Sequence, residues 1–168
     1  MKSLFRTLVV SLIAATSSLA ATPPWTDDWE AAKAKSKSEN KPILIYMTGS
    51  DWCGWCKKLE KEVISQKAFT DFVAQHFILM EADFPKTKEQ PGPLKKQNAA
   101  LRKTYLNGGY PTMYVLDADG KKLSKDLGEL EGGVNGYLAK LKEFLPKDKA
   151  SSGLPLEQQS DNSIGHAK

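Results

Sequence analysis

Apolar residues occur in short runs separated by polar stretches, and these runs predict the strands of the fold. Ile43–Met47 is continuously apolar, which is typical of a central strand covered on both faces. A second strand is predicted over Phe77–Asp83 and a third over Pro111–Asp117. Asp119-Gly120 is a strong signal for a hairpin turn, so we expect a returning strand over Lys122–Leu127.

Helices are predicted in the stretches around these strands, where apolar residues recur at intervals of three and four. The predicted helices cover residues 28–38, 57–64, 66–75, 94–105 and 135–145. The order of elements is helix, strand, helix, strand, helix, strand, strand, helix. It implies a parallel pair of strands with a crossover helix, followed by an antiparallel hairpin. We therefore expect an α/β fold with a mixed central sheet flanked by helices.

The two ends of the chain differ from its middle. A basic start over residues 1–6 precedes a short apolar stretch and the small residues Ser18 and Ala20, as in a signal peptide. We expect residues 1–20 to be cleaved after Ala20 and the protein to be periplasmic or secreted, with an uncleaved anchor as the alternative. Residues 147–168 are polar and are predicted to form a disordered tail, which leaves one domain over 25–146.

Charge and composition exclude some classes of partner. The formal net charge is +4, and two of these charges, Lys2 and Arg6, lie in the predicted signal peptide. No run of five basic residues occurs, so we expect no binding to nucleic acid. No segment after the signal peptide is apolar enough to predict a membrane span. We expect a monomer without a cofactor.

The two cysteines, Cys53 and Cys56, are three residues apart. A disulfide between them would close too small a loop to stabilise the fold much, so redox chemistry explains the pair better. Cys53 lies at a predicted strand-to-helix junction, where the helix dipole favours a thiolate. We expect Cys53 to attack a substrate disulfide and Cys56, one turn further in, to release the product by attacking Cys53.

Three segments resemble the thioredoxin-like superfamily. They are the strand Ile43–Met47, the WCGWCK motif at Trp52–Lys57, and Tyr110–Thr112 before another strand. The chain is similar above all to exported bacterial thioredoxin-like proteins with the pattern found here at Gly49–Lys57. The resemblance covers about residues 29–145 and implies a thioredoxin fold and thiol–disulfide exchange.

The resemblance also implies roles for residues around the cysteines. Pro111 would be a cis proline facing the redox pair, and Tyr110 would offer backbone groups to the extended peptide of a client. Trp52 would flank the attacking sulfur. Gly54 would permit a tight turn and the close approach of a partner, and Trp55 completes the predicted substrate-binding set. Ordinary hydrophobic packing is the alternative for Trp52 and Tyr110.

The chain departs from thioredoxins at two places. Thioredoxins carry a buried acid six residues before the first cysteine, where this chain has Met47. Glu60 or water is then the candidate proton acceptor for Cys56. Between the cysteines, Gly54 and Trp55 supply no cation that would stabilise a thiolate, which slightly favours a reductase over an oxidant or isomerase.

Several functions remain open at this stage. The leading one is an enzyme that exchanges thiols and disulfides on exported proteins and is served by an unidentified redox partner protein. The alternatives are a client-binding or chaperone module with non-essential cysteines, and a structural disulfide. A metal carrier is also conceivable, although His76 and His166 are the only histidines that could supplement the two cysteines.

Overall fold

The computed structural model describes residues 25–145, so the predicted signal peptide over 1–20 and the predicted tail over 147–168 lie outside the described residues. The elements are α1 Trp29–Glu39, β1 Ile43–Thr48, α2 Gly54–Leu59, α3 Lys67–His76, β2 Ile78–Asp83, α4 Gly92–Tyr105, β3 Thr112–Leu116 and α5 Gly133–Lys142. A π-helical turn, Glu60–Ile64, continues α2. Within 25–145, none of the helices is both long and apolar enough to cross a membrane.

The three strands form one mixed sheet in the order β2-β1-β3. β1 runs parallel to β2 and antiparallel to β3. Every residue of the central strand β1 is buried, as its continuous apolar sequence predicted. The α/β class and the mixed central sheet flanked by helices are confirmed.

The segment 122–127 does not form the returning strand that the hairpin signal predicted. One isolated bridge links it to the outer edge of β3, together with the N–H groups of Leu123 and Leu127, which donate to β3 carbonyls at 2.8 Å. Two outward N–H groups of β3 donate to side chains instead of backbone: Val115 to Ser124 Oγ at 2.9 Å and Met113 to Asp126 Oδ1 at 3.0 Å. Side-chain acceptors therefore cover this edge where a regular ladder was expected.

The sheet separates two layers of core. Leu44 and Tyr46 point to the face covered by α2, the π-helical turn, α3 and α5. Met47 points to the opposite face, which is covered by α1 and α4, because successive side chains of a strand alternate between faces. Met47 thus lies on the other side of the sheet from the helix that carries Cys56.

Candidate active site

The loop between β1 and α2 is held in place by hydrogen bonds to β2. The N–H and Oγ of Ser50 donate to the Asp83 carboxylate at 2.9 and 2.6 Å. Gly49 lies against Trp52 so closely that a Cβ there would come within 2.5 Å of the indole ring. Sequence analysis did not single out either contact, although an isolated glycine in a loop is a signal of close approach. These contacts fix the loop so that Cys53 lies beyond the carboxyl end of β1.

Cys53 and Cys56 form a disulfide with their Cα atoms 5.3 Å apart. Cys53 is the N-cap residue of α2, and its Sγ accepts the backbone N–H of Cys56 at 3.2 Å. Both are nearly inaccessible, at 5% and 2% exposure. A sulfur at a helix N-terminus is favoured as a thiolate by the helix dipole and the free N–H groups. The N-cap position of Cys53 is thus the one that the predicted attacking role requires.

The peptide bond between Tyr110 and Pro111 is cis. It places the Tyr110 carbonyl oxygen 3.6 Å from Cys53 Sγ. A Cβ at Gly128 would overlap the carbonyl group of Pro111, so glycine at 128 allows its own segment to pack against this bond. The backbone of Tyr110 therefore lies beside the Cys53 sulfur.

Trp52 forms one wall of the site. Its ring packs edge-on against Tyr110, with centroids 5.7 Å apart, and its Nε1–H donates to the Phe84 carbonyl at 2.8 Å. Lys86 Nζ lies 4.0 Å from the ring centroid. Trp52 nevertheless stays 39% exposed. The ring thus packs against Tyr110 while remaining partly exposed, and its role beside the attacking sulfur stays a prediction.

Trp55, which lies between the two cysteines in the sequence, is 66% exposed. It lines a cleft of about 340 Å³ together with Gly128, Leu130 and Tyr137. Gly54, the first residue of α2, has ordinary helical backbone and open space around its Cβ position. No tight turn requires glycine there, and a side chain at this position would project into open space.

A second cleft, of about 310 Å³, lies beside Cys56. It is lined by Tyr46, Thr48, Ser50, Cys56, Lys57, Glu60, Lys61 and Glu81. Burial, reinforced by the Asp83 and Glu60 carboxylates, raises the pKa of Glu81 to about 7. Partial burial also raises the pKa of Glu60. Sequence analysis named Glu60 and missed Glu81, whose signal was an acid within the buried strand β2.

A helix-capping cysteine, its partner one turn later and a cis proline beside them define a thioredoxin-like redox protein. Residues 24–118 match the thioredoxin-like family, and the chain belongs to it. It is 36% identical over 120 residues to the disulfide bond reductase DsbH of Chlamydia pneumoniae, covering 70% of this chain and 72% of that protein. It is 31% identical over 99 residues to the thioredoxin-related protein DsbJ of the same organism, covering 59% of this chain and 28% of that protein.

A solved structure supports the same assignment. The DsbH oxidoreductase structure superposes with a TM-score of 0.68 at 33% identity, covering 84% of this chain and 93% of that chain. The thioredoxin fold is therefore confirmed for this protein. With the relatives and the Cys53–Cys56 disulfide, it identifies the protein as a thiol–disulfide oxidoreductase.

Proposed function

We propose that this enzyme reduces disulfide bonds of exported proteins, with Cys53 as the attacking and Cys56 as the resolving thiol. The observation that carries the proposal is the position of Cys53 as the N-cap of α2, 3.6 Å from the Tyr110 carbonyl beside the cis bond. The Cys53 thiolate attacks one client sulfur, and the other leaves as a thiolate that takes up a proton. Cys56 then attacks Cys53 and releases the second client thiol. Two electrons pass from the pair to the client.

The client would lie across the open face of the disulfide. An extended peptide beside Cys53 pairs with the backbone of Tyr110, next to Pro111, and contacts Trp52 and Trp55 through its side chains. Gly54 supports this placement because nothing projects from it into the client's path. These five residues form the proposed substrate-binding set.

Two lysines near the redox pair lie over aromatic rings, which favours reduction over oxidation. Lys86 and Lys58 lie over the rings of Trp52 and Trp55, at 4.0 and 5.4 Å from the centroids. A reduced pair whose thiolate receives less stabilisation is the stronger reductant. The name of the relative DsbH, a disulfide bond reductase, agrees with this direction. The enzyme would work in the periplasm or outside the cell and depend on a redox partner that returns it to the reduced state.

Insulin reduction with a small thiol as electron source tests the proposal. The mature enzyme is purified from the exported fraction, where N-terminal sequencing is expected to give Ala21 as the first residue. We expect wild-type protein to accelerate insulin reduction, Cys53→Ser to abolish the effect, and Cys56→Ser to accumulate a mixed disulfide on Cys53. Full activity of Cys53→Ser would disprove the assigned role.

The reduction potential decides the direction. Equilibration with thiol buffers should give a value near that of thioredoxin, about −270 mV. A value above about −180 mV would instead indicate an oxidant or isomerase.

A further inference from the structure

Cys56 must lose its proton before it can attack Cys53, and β1 supplies no acid for this purpose. The position six residues before Cys53 is Met47, whose side chain packs on the opposite face of the sheet. Among the β1 side chains on the face of α2, the titratable one is Tyr46. Burial raises the pKa of the Tyr46 phenol far above its usual range, so Tyr46 remains protonated and accepts no proton at physiological pH.

Glu81 reaches the same cleft from the neighbouring strand. It is the register partner of Tyr46 across the parallel β1–β2 pair, so both side chains point to the face that α2 covers. Glu81 lines the 310 Å³ cleft together with Cys56 and is half-buried there. The cleft has room for a direct approach or for a bridging water between the carboxylate and the thiol.

Glu60 lies at the exposed mouth of this cleft. Glu60 follows Cys56 by four positions where α2 continues into the π-helical turn, so the two side chains share one face of the helix. The π-helical turn begins at Glu60, with the N–H of Ser65 donating to the Glu60 carbonyl at 2.9 Å. π-Helical turns of this kind are frequent at functional sites.

We propose that Glu81 is the proton acceptor for Cys56 in the resolving step, and that Glu60 tunes it from the mouth of the cleft. The inference rests on the proposed function and assigns a role that no acid on β1 can fill. In this step the Cys56 thiol gives its proton to the Glu81 carboxylate, directly or through one water. The Cys56 sulfur then bonds to Cys53 Sγ, and the client sulfur leaves with the electron pair of the broken bond.

The charges around Glu81 suit an acceptor that works near neutral pH. Burial and the like charges of Asp83, Glu60 and Asp27 raise its pKa to about 7, and Lys88 opposes them. The titratable or charged groups facing it are Tyr46 on β1, Cys56, Lys57, Glu60 and Lys61 on α2 and its π-helical turn, Asp83 on β2, Asp27 before α1, and Lys88 after β2. A base with a pKa near the working pH transfers protons most efficiently.

Single-turnover reaction of the reduced enzyme with a peptide disulfide tests the inference. Samples are quenched in acid, and the Cys53–peptide mixed disulfide is quantified by mass spectrometry. We expect Glu81→Gln to slow decay of the mixed disulfide at least about tenfold, while attack by Cys53 stays near the wild-type rate. The wild-type pH profile of this decay should show a step near 7 that Glu81→Gln removes. Glu60→Gln should shift this step to lower pH.

Glu89→Gln is the matched control, because it removes an exposed carboxylate on the connection after β2. Mixed-disulfide decay in Glu81→Gln as fast as in Glu89→Gln, with an unchanged pH profile, would overturn the inference. If Cys53→Ser is inactive in the same experiment, the proposed function stands although the role of Glu81 does not. This conclusion requires that the Cys53→Ser variant is folded.

A measurement on unmutated protein covers the case in which Glu81→Gln does not fold. Carboxyl carbon NMR of the labelled wild-type protein follows the Glu81 titration in the oxidised and reduced forms. We expect the apparent pKa of Glu81 to differ between the two forms, because the Cys56 thiol faces it only after reduction. Identical titrations in both forms would overturn the inference.

Discussion

The two sulfurs of the redox pair have different surroundings although only two residues separate them. Cys53 Sγ lies 3.6 Å from the Tyr110 carbonyl oxygen. Cys56 lines the cleft that holds Glu60 and Glu81. This asymmetry agrees with the proposed roles, in which Cys53 meets the client and Cys56 meets the proton acceptor, as stepwise thiol–disulfide exchange requires.

Glu81 should make folding stability depend on pH. Its pKa rises from 4.5 in the unfolded chain to about 7 in the folded one, so the folded state retains its proton over this range. The stabilisation is complete below pH 4.5 and is lost as the pH rises through 7. Because Glu81 remains half-exposed, we expect a loss of about 1–2 kcal/mol. Urea unfolding of oxidised wild type and Glu81→Gln at pH 5 and pH 8 measures it.

The stability of Glu81→Gln, measured relative to wild type, should be greater at pH 8 than at pH 5. The stability of Glu89→Gln relative to wild type should be the same at both pH values. The oxidised form is used because disulfide-bonded cysteines do not titrate. An equal difference between Glu81→Gln and wild type at both pH values would contradict this prediction.

At the scale of single residues, the sequence predicted the cysteines but not the acid beside them. Cys53 and Cys56 could be predicted because their spacing and the strand-to-helix junction are local features. Glu81 could not, since its place depends on the register that pairs it with Tyr46. The face occupied by Met47 likewise depends on how the loop after β1 joins α2. Sheet register is a property of two segments, and the local pattern of one does not contain it.

The outer edge of β3 is closed by the segment 122–127 in an unusual way. Asp126 Oδ1 accepts the N–H groups of Met113 and Gly128, at 3.0 and 2.9 Å. The same carboxylate thus fixes the strand and the glycine that packs against Pro111. The edge of the sheet and the cis bond beside Cys53 are stabilised by one side chain.

Asp126→Ala should destabilise the protein measurably. It leaves the N–H of the buried Met113 without its acceptor, which costs about 1–3 kcal/mol. Thermal or urea unfolding measures the loss, and Lys125→Ala is the control because Lys125 is the exposed neighbour. Equal stabilities of Asp126→Ala and Lys125→Ala would show that the carboxylate does not hold the edge.

At the scale of elements, β1 was predicted within one residue because a continuous apolar run of this length is typical of a buried strand. The turn after β3 was also predicted from the sequence, and Gly120 has the positive φ, 91°, that hairpin turns use. The prediction of a fourth strand was wrong because the side chains of Ser124 and Asp126, rather than the backbone of their segment, accept N–H groups of β3. Side chains of this type commonly replace regular structure by local hydrogen bonds, and a hydrophobicity pattern does not show it.

On the whole molecule, exposed apolar surface is concentrated at the redox end. Among residues 25–145, the large exposed hydrophobic side chains are Trp52, Trp55 and Leu123. Two of the three flank the disulfide. Exposed apolar surface grouped in one place commonly marks an interaction site, which fits the proposed contact between this surface and a client polypeptide.

Trp55→Ala should therefore weaken client binding while sparing the chemistry. Aromatic contacts at an interface often contribute more than 1 kcal/mol, so we expect KM for insulin to rise about five- to tenfold. The rate with a small, soluble disulfide should stay within about twofold of wild type, because such a substrate does not reach Trp55. Leu123→Ala is the control, since it removes the third exposed apolar side chain from the segment that covers β3. An unchanged KM in Trp55→Ala would contradict a role for Trp55 in client binding. An equal rise in Leu123→Ala would show that the effect is not specific to Trp55.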